Sequence, residues 1–253
     1  MNTQELDKEY VAGTYNRFPI TIVGGKGSRL VDENGKEYID MGTGIGVNSF
    51  GIADDTWKEA IIEQISKVQH TSNLFYTKPC AELASLLCQK TGMKKVFFGN
   101  SGAEANECAI KVARKYMCEK KGPQAYQIVT MWNSFHGRTL TTLAATGQDH
   151  YHELFQPLTP GFKHVHINDI EELKKTADPK TTAAVMMEMV QGEGGVQPLD
   201  AAYIKAAAEY CKENDILLIV DEVQTGNGRS GKLHAYQCFV IQPDIVSTAK
   251  GLG

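Results

Sequence analysis

The sequence predicts an α/β protein with a mostly parallel central sheet and helices on both faces. From residue 95 onward, short apolar runs alternate with amphipathic helical patterns, which is typical of a parallel sheet covered by helices. Two of the apolar runs, beginning at Leu217 and Ile245, end in polar residues, the first at Asp221 and the second at Lys250. Because ligands bind at the carboxyl ends of parallel strands, the sequence predicts a site there.

The composition excludes several classes of protein. Hydrophobic residues make up 42% of the 253 residues, and the formal net charge of -4 gives no reason to expect nucleic acid or an anionic membrane as a partner. No apolar run is long enough to span a bilayer, and the polar, acidic N-terminus does not resemble a signal peptide. The six cysteines form no Cys-x-x-Cys pair, which indicates a reduced, cytoplasmic protein.

The first ninety or so residues are predicted to form a small antiparallel unit followed by two helices. The pair Asn34-Gly35 lies between two short apolar runs, which is a strong signal for a hairpin. Apolar residues recur at helical spacing over residues 55–69 and again over 79–91. Each of these two segments is therefore predicted to be an amphipathic helix.

The rest of the chain supplies the alternating elements of the predicted sheet. In order, these are a strand at 96–98, a helix at 103–120, strands at 127–130 and 183–187, a helix at 200–213, a strand at 217–220 and the run from Ile245. The sequence contains no internal repeat and no low-complexity linker.

The segment Gly99–Asn106 joins a predicted strand to a predicted helix. Ser101 followed by Glu104 fits a capping box. The amides of Gly102 and Ala103, at the start of the helix, form a site for an anion such as a phosphate. Taken alone, such a segment is more often a plain capped helix, and it matches neither the Walker nor the dinucleotide pattern.

Two further loops after predicted strands carry side chains suited to binding a ligand. In Asn133–Thr139, Phe135 could stack on a flat ring and Arg138 could bind a carboxylate through two hydrogen bonds. In Glu188–Gly195, Glu193 is presented by a glycine-rich turn. Each loop also has an interpretation without a ligand. In it, Phe135 belongs to the hydrophobic core, and Arg138 and Glu193 are solvated surface charges.

Lys250 is placed where covalent chemistry is favoured. An unpaired ammonium is costly to bury, and desolvation together with nearby charge lowers the pKa of the amine so that it can attack an aldehyde to form a Schiff base. Asp221, at the end of a neighbouring strand, could then hold the pyridinium nitrogen of pyridoxal phosphate. The alternative is a strand that ends at the surface with a solvated lysine.

Four histidines raise the question of a metal site. His150 and His152 alternate like strand residues, as do His164 and His166. No cysteine or carboxylate completes a ligand set around them, so no metal site is predicted.

Five motifs together resemble the class-III pyridoxal-phosphate aminotransferases in their order and spacing. They are Asn-Ser-Gly-Ala-Glu-Ala-Asn-Glu at 100–107, Phe-His-Gly-Arg-Thr at 135–139, Gln-Gly-Glu-Gly-Gly at 191–195, Asp-Glu-Val-Gln-Thr-Gly-x-Gly-Arg-x-Gly at 221–231 and Ser-Thr-Ala-Lys-Gly at 247–251. The resemblance implies the fold-type-I architecture. In that architecture residues 1–69 are an N-terminal segment with part of a small α+β domain, and residues 70–253 are the large cofactor-binding domain.

The resemblance also implies roles for individual residues. Lys250 forms the Schiff base with pyridoxal phosphate and later moves a proton, and Asp221 pairs with the pyridinium nitrogen. Arg138 binds a substrate carboxylate, and Glu193 pairs with an arginine when the second half-reaction needs a different binding mode. The other implied cofactor-binding residues are Ser101, Gly102, Ala103, Phe135, His136, Glu222, Val223 and Gln224.

Within the family, the motifs are most similar to members that move the terminal amino group of N-acetylornithine to 2-oxoglutarate in arginine biosynthesis. The resemblance implies a cytoplasmic homodimer. Two alternatives remain open: a different amino donor (succinyl-diaminopimelate, ornithine or 4-aminobutyrate), or a non-catalytic fragment. Because the family continues well past the lysine and this sequence ends three residues after Lys250, an incomplete small domain is expected. A protein ending there is expected to be inactive or to be longer in the cell.

Overall fold

The computed structural model describes residues 1–252, and the chain divides into two compact units, Met1–Thr77 and Lys78–Gly253. The sequence predicts a domain boundary after residue 69, whereas the boundary between the two compact units lies after Thr77. The two units are described separately below.

The first unit contains a three-stranded antiparallel sheet. Its strands, in chain order and in order across the sheet, are β1 Ile22–Lys26, β2 Arg29–Asp32 and β3 Glu37–Ile39. Leu30 pairs with Tyr38, and the chain turns between them at Asn34-Gly35, where Gly35 has a φ of 78°. Glycine adopts a positive φ at little cost, so the predicted hairpin is confirmed together with its turn.

The helices of the first unit do not enclose a core. They are α1 Thr3–Tyr10, the short turn α2 Thr43–Gly46 and α3 Asp55–Ile65. α3 confirms the helix predicted over 55–69, although it ends at Ile65. Its apolar side chains stay accessible, with Trp57 49% and Ile62 62% exposed. Within residues 1–77, all of which the structure describes, Asp32 is the sole buried residue. An amphipathic pattern therefore specifies a helix here without specifying what covers it.

The second unit is built on a parallel sheet, as predicted. Its strands are β4 Gln127–Met131, β5 Phe162–Val165, β6 Thr182–Met187, β9 Leu217–Asp221 and β10 Ile245–Ser247, and a separate antiparallel pair is formed by β7 Val190–Gln191 and β8 Gln197–Pro198. The order across the main sheet is β10-β9-β6-β4-β5, and every pairing in it is parallel.

Helices cover both faces of this sheet, which confirms the predicted fold class. The helices of this unit are α4 Lys78–Thr91, α5 Gly102–Lys121, α6 Leu140–Ala145, α7 Ile170–Thr176 and α8 Ala201–Glu213. One buried cluster joins Ile204 of α8 to Val185 of β6, and a second joins Ile110 of α5 to Ala184. Because neighbouring strand residues point to opposite faces, the all-buried strand β6 contributes to both clusters.

One predicted strand is wrong and one is missing from the prediction. Residues 96–98 form an irregular segment between α4 and α5, and Phe97 is 69% exposed. An apolar run becomes a strand only where a neighbouring strand is available to pair with it. Conversely, β5 lies at the edge of the sheet and its sequence mixes Lys163 and His164 with apolar residues, so it lacks the apolar run of a central strand.

The topology brings three strand ends together. In the sheet, Met187 of β6 pairs with Val220 of β9, and Asp221 pairs with Ser247 of β10. The residues that follow these strands therefore emerge side by side at one edge, which is where ligands bind in this class of fold.

Candidate active site

Asp221, the last residue of β9, is held by three donors. Its carboxylate is 2% exposed, and its Oδ2 accepts hydrogen bonds from Asn106 Nδ2 at 2.7 Å and from His136 Nδ1 at 2.8 Å. Its Oδ1 accepts from the backbone amide of Val223 at 2.9 Å. A buried carboxylate needs such partners because an unpaired charge is costly away from water. The three contacts fix one orientation of the side chain.

His136 and Asn106 also contact each other. An ionised carboxylate only accepts hydrogen bonds, so Nδ1 of His136 is the donor to Asp221. The Asn106 amide donates a second bond, of 2.8 Å, to the backbone oxygen of His136. Among the described residues, two buried atoms of this group have no hydrogen-bond partner: His136 Nε2 and Asn106 Oδ1. The network therefore satisfies Asp221 while leaving two of its own polar atoms unpaired.

Ser101 caps the N-terminus of α5 as predicted, but Glu104 does not make the reciprocal hydrogen bond of a capping box. Ser101 Oγ accepts from the Glu104 amide at 3.2 Å, whereas the Glu104 carboxylate accepts from the amide of Asn100 and not from that of Ser101. The amides of Gly102 and Ala103 lie in the first turn of a 20-residue helix, where backbone amides have no acceptor within the helix. Together with the helix dipole, they provide a site for an anion.

Glycines allow two loops to approach the end of β9 closely. A Cβ on Gly102 would lie 2.6 Å from Val223 Cγ1, which is too close for two carbon atoms. A Cβ on Gly192 would lie 2.7 Å from Cγ of Gln224. The start of α5 and the loop after β7 are thus both packed against the two residues that follow Asp221 and Glu222.

Lys250 follows β10, the neighbour of β9. Its side chain is partly buried, and its Nζ donates a hydrogen bond to Gln224 Oε1. Burial lowers the pKa of the Lys250 amine, and the carboxylates of Asp221 and Glu188 partly oppose this shift. A lower pKa leaves more of the amine unprotonated near neutral pH, which is the form that attacks a carbonyl carbon.

Glu188, which sequence reasoning did not select, lies directly after β6. It is 5% exposed, and its Oε2 accepts from the backbone amide of Phe135 at 3.1 Å. Burial and the nearby Asp221 raise the pKa of the Glu188 carboxyl well above its ordinary value. Both effects work against ionisation of this side chain.

A second group of predicted residues lies around Tyr151. The guanidinium carbon of Arg138 is 5.8 Å from the centre of the Phe135 ring and 5.4 Å from that of Tyr151. The two rings meet edge to face with their centres 5.7 Å apart. The Tyr151 hydroxyl donates to Glu193 Oε1 at 2.9 Å. Tyr151 thus connects three residues that the sequence analysis selected.

The carboxylate of Glu222 binds groups of the protein itself. It accepts hydrogen bonds from the Thr225 hydroxyl at 2.6 Å, from the Ala235 amide at 2.9 Å and from the Tyr236 amide at 2.8 Å. Burial raises the pKa of this carboxyl, and the three hydrogen bonds oppose the shift. Its side chain thereby holds the 3-10 segment Ala235–Cys238, whereas the resemblance implies that Glu222 forms part of the wall around a cofactor.

Four residues of the site were missed by sequence reasoning. Two of them could have been predicted from the sequence. Asn106 lies four residues after Gly102 on the same helix face, and Glu188 directly follows an apolar strand. Gln148 and Tyr151 could not, because they reach Glu193 across 45 and 42 residues of sequence, respectively.

Of the four histidines considered for a metal site, His164 lies on the edge strand β5 and is half-buried. His164 Nδ1 lies 2.7 Å from the Thr130 hydroxyl, and burial lowers the pKa of His164 to about 4. Over residues 1–252, no cluster of three or more His, Cys, Asp or Glu side chains could hold a metal ion. In the same part of the chain, no helix combines the length and the apolar character needed to cross a membrane.

Comparison with known proteins gives a consistent result. The family model for class-III aminotransferases matches residues 10–253. The chain is 53% identical over 249 residues to the acetylornithine aminotransferase of Haemophilus ducreyi, covering 98% of this chain and 63% of that protein. It is 46% identical to the succinylornithine transaminase of Citrobacter koseri, covering 99% of this chain and 62% of that protein.

The solved structures agree with the sequence relatives. The ornithine aminotransferase of Toxoplasma gondii ME49 superimposes with a TM-score of 0.93 at 33% identity, covering 99% of this chain and 61% of that one. The chain therefore spans a little over three fifths of the length of each of these proteins.

Proposed function

The chain belongs to the class-III aminotransferases and has their fold-type-I architecture, and on this basis we propose that it moves the terminal amino group of N-acetylornithine to 2-oxoglutarate with pyridoxal phosphate as cofactor. One observation carries the proposal. The ends of β9 and β10 bring together the Asp221 carboxylate, which is fixed by hydrogen bonds, and the Lys250 amine, whose pKa is lowered. The acetylornithine aminotransferase of Haemophilus ducreyi, at 53% identity, supports the choice of amino donor.

The residues present fit pyridoxal phosphate in three respects. The first-turn amides of α5, at Gly102 and Ala103, suit its phosphate. The carboxylate of Asp221, buried and fixed by three donors, suits a protonated ring nitrogen. Lys250 supplies an amine whose pKa burial has lowered, which suits an aldehyde. The close approach of Gly102 to Val223, two residues after Asp221, supports placing the first two of these groups in one site.

Each residue has a defined task in the proposed reaction. Bound pyridoxal phosphate supplies an electron sink for the carbon that carries the reacting amino group. Asp221 stabilises the positive charge on the ring nitrogen, and Asn106 and His136 hold its carboxylate in place. Lys250 Nζ takes up and returns the proton that moves during transamination, and its hydrogen bond to Gln224 orients it. Arg138 binds and orients a carboxylate of the substrate.

A different amino donor is the second candidate. The succinylornithine transaminase of Citrobacter koseri is 46% identical to this chain over nearly its whole length, and its donor differs from acetylornithine in the acyl group. Both donors present a terminal amine and a carboxylate, which Lys250 and Arg138 would serve in the same way. Parallel assays with the acetyl, succinyl and unmodified forms of ornithine distinguish these possibilities through kcat/KM.

The proposal includes a cytoplasmic homodimer. In support, the six cysteines are free, and the first unit exposes large apolar side chains such as Phe18, Met41 and Leu74, each at least 85% accessible. Exposed apolar surface of this extent usually marks an interface. Light scattering coupled to size exclusion tests the oligomeric state: a dimer mass is expected, and a monomer at micromolar concentration contradicts this part of the proposal.

Covalent labelling tests the assignment of Lys250. The protein is mixed with pyridoxal phosphate, reduced with borohydride, digested and analysed by mass spectrometry. The label is expected on the Lys250 peptide, and it should disappear in Lys250→Ala but not in Lys232→Ala, which removes an exposed lysine elsewhere. Label confined to other lysines would overturn the assignment.

A further inference from the structure

The turn after β9 contacts the segment that carries Lys250 at two separate points. At one point, the Lys250 amine donates a hydrogen bond to the side chain of Gln224. At the other, Nδ2 of Asn227 donates to the backbone oxygen of Ala249 at 2.8 Å and to Oγ1 of Thr248 at 3.0 Å. One turn therefore holds both the reactive end of the lysine side chain and the backbone immediately before it.

The backbone of Lys250 needs such support. Its φ is 55°, in the left-handed region, where the Cβ of an ordinary residue crowds a carbonyl oxygen, so this conformation persists only where the surrounding structure holds it. The backbone oxygen of Ala249 belongs to the planar peptide group whose orientation the φ of Lys250 sets. The Leu252 amide also donates to this oxygen, at 3.2 Å, but it lies in the same segment. The hydrogen bond from Asn227 therefore fixes this peptide group to the neighbouring turn.

The turn that carries Asn227 is itself fixed. The Gly226 amide donates to the backbone oxygen of Glu222 at 2.8 Å, and the Thr225 hydroxyl donates to the Glu222 carboxylate at 2.6 Å. The Glu222 amide donates in turn to the backbone oxygen of Ser247 at 2.8 Å. Asn227 has a φ of 57°, which asparagine adopts more readily than most residues. Its side-chain amide thus projects from a turn that is already bonded to the end of β10.

We propose that Asn227 is a positioning residue that holds the backbone before Lys250 and so directs the Lys250 amine at the carbonyl carbon that it attacks. The inference rests on the proposed function, in which that carbon belongs to the aldehyde of pyridoxal phosphate. Lys250 Nζ adds its electron pair to the aldehyde carbon, and its two hydrogens leave with the aldehyde oxygen as water when the C=N bond forms. The Asn227 side chain is uncharged and binds the backbone, so it acts on the geometry of this attack.

The variant Asn227→Gly removes the side chain and keeps the turn, because glycine adopts a positive φ at little cost. Pyridoxal phosphate is added, samples are reduced with borohydride at timed intervals, and the label on the Lys250 peptide is measured by mass spectrometry. Loss of the two hydrogen bonds is expected to slow the labelling of Lys250 about tenfold.

Asn168→Gly is the matched control for this variant. Asn168 also has a positive φ, of 63°, and its side chain accepts a hydrogen bond from the Asp200 amide at 2.8 Å. It follows β5, at the edge of the sheet opposite β10. Labelling of Lys250 in this variant should proceed at the rate of the wild type.

A second measurement separates positioning from a general loss of structure. Deoxypyridoxine phosphate has the ring and the phosphate but no aldehyde, so it cannot react with Lys250, and a fluorescence titration gives its dissociation constant. This constant should change by less than about twofold in Asn227→Gly, because no bond to Asp221 or to the start of α5 is removed. The midpoint of the pH dependence of labelling should also stay in place, since Asn227 carries no charge. A loss of affinity as large as the loss of rate, or a shifted midpoint, overturns the inference.

Thr248→Val covers the case in which Asn227→Gly folds poorly. It removes one of the two oxygens that Asn227 contacts and should slow the labelling of Lys250 about threefold. Labelling at the wild-type rate in both variants overturns the inference. Failure of the proposed function is distinguishable from this outcome, because the wild type itself would then take up no label on Lys250.

Discussion

The side-chain amide of Asn106 donates a 2.7 Å hydrogen bond to Asp221, a residue 115 positions later in the sequence. This contact connects two parts of the site that the sequence presents separately. Asn106 lies on α5, four residues after Gly102, whose amide is in the anion-binding turn, and Asp221 closes β9. The helix that offers a site for the phosphate therefore also fixes the carboxylate proposed to bind the ring nitrogen.

Replacing Asn106 by alanine should weaken this connection. The variant loses a hydrogen bond to a buried charged group, which costs about 1.5–3 kcal/mol. Because Asp221 then has one donor fewer, both the free energy of unfolding of the cofactor-free protein and its affinity for pyridoxal phosphate are expected to fall. Urea denaturation measures the first and a fluorescence titration measures the second. Asn214→Ala, which removes a bond to the Tyr210 carbonyl, should lower stability alone. An Asn106→Ala protein with wild-type cofactor affinity would show that Asp221 does not depend on this contact.

A methyl group at position 102 should be poorly tolerated. The Cβ of Gly102→Ala would lie 2.6 Å from Val223 Cγ1, so either α5 or the end of β9 must shift, at a cost of about 1–3 kcal/mol. The variant is expected to unfold at a lower urea concentration and to bind pyridoxal phosphate more weakly. Gly13→Ala serves as the control, since nothing lies within 4 Å of a Cβ at that position. Equal cofactor affinity in the two variants would contradict the predicted close approach.

The Arg138→Lys variant tests recognition of the substrate. Lysine keeps the positive charge but cannot form two parallel hydrogen bonds with a carboxylate, and it packs differently on the rings of Phe135 and Tyr151. Loss of one charge-assisted contact should cost on the order of 1.5–3 kcal/mol of binding, so KM should rise for both the amino donor and 2-oxoglutarate. The labelling of Lys250 by pyridoxal phosphate should not change. Steady-state kinetics with an unchanged KM for both substrates would show that Arg138 binds neither.

The burial of His234 predicts that the stability of the folded protein depends on pH. It is 3% exposed, neither ring nitrogen has a partner among the described residues, and burial lowers its pKa from 6.5 to about 4. Between these two values the unfolded chain binds a proton that the folded chain does not, so the stability contributed by this group falls as the pH drops from 6.5 towards 4.

His234→Phe should remove that dependence. Two unpaired buried nitrogens are replaced by carbon, so the free energy of unfolding at pH 7 is expected to rise by about 1–3 kcal/mol. The loss of stability on acidification should be smaller than in the wild type, although His164, whose pKa is also lowered to about 4, continues to contribute. Urea denaturation at pH 7 and pH 5 measures both effects. A loss between these pH values as large as that of the wild type would show that His234 is not the titrating group.

Local patterns in the sequence were sufficient for most elements of the second unit. The alternation of apolar runs and helical periodicity predicts a parallel sheet with helices on both faces, and polar residues at strand ends predict the edge where Asp221 and Lys250 emerge. The hairpin at Asn34-Gly35 was likewise predictable, because only a few residues readily adopt the backbone angles that its turn requires. In each case the information lies within a few consecutive residues.

The tertiary structure alone decided which side chains meet. The periodicity of residues 55–69 marks an apolar face but cannot show that this face stays exposed within its own unit. In the same way, the sequence shows Glu222 beside Asp221 but not that its carboxylate binds amides 13 and 14 residues away. Asn106 with Asp221, and Tyr151 with Glu193, are likewise brought together by the packing of helices and loops on the sheet. Secondary structure follows from local backbone and side-chain preferences, whereas the partners of a polar side chain depend on contacts between distant segments, which no local pattern encodes.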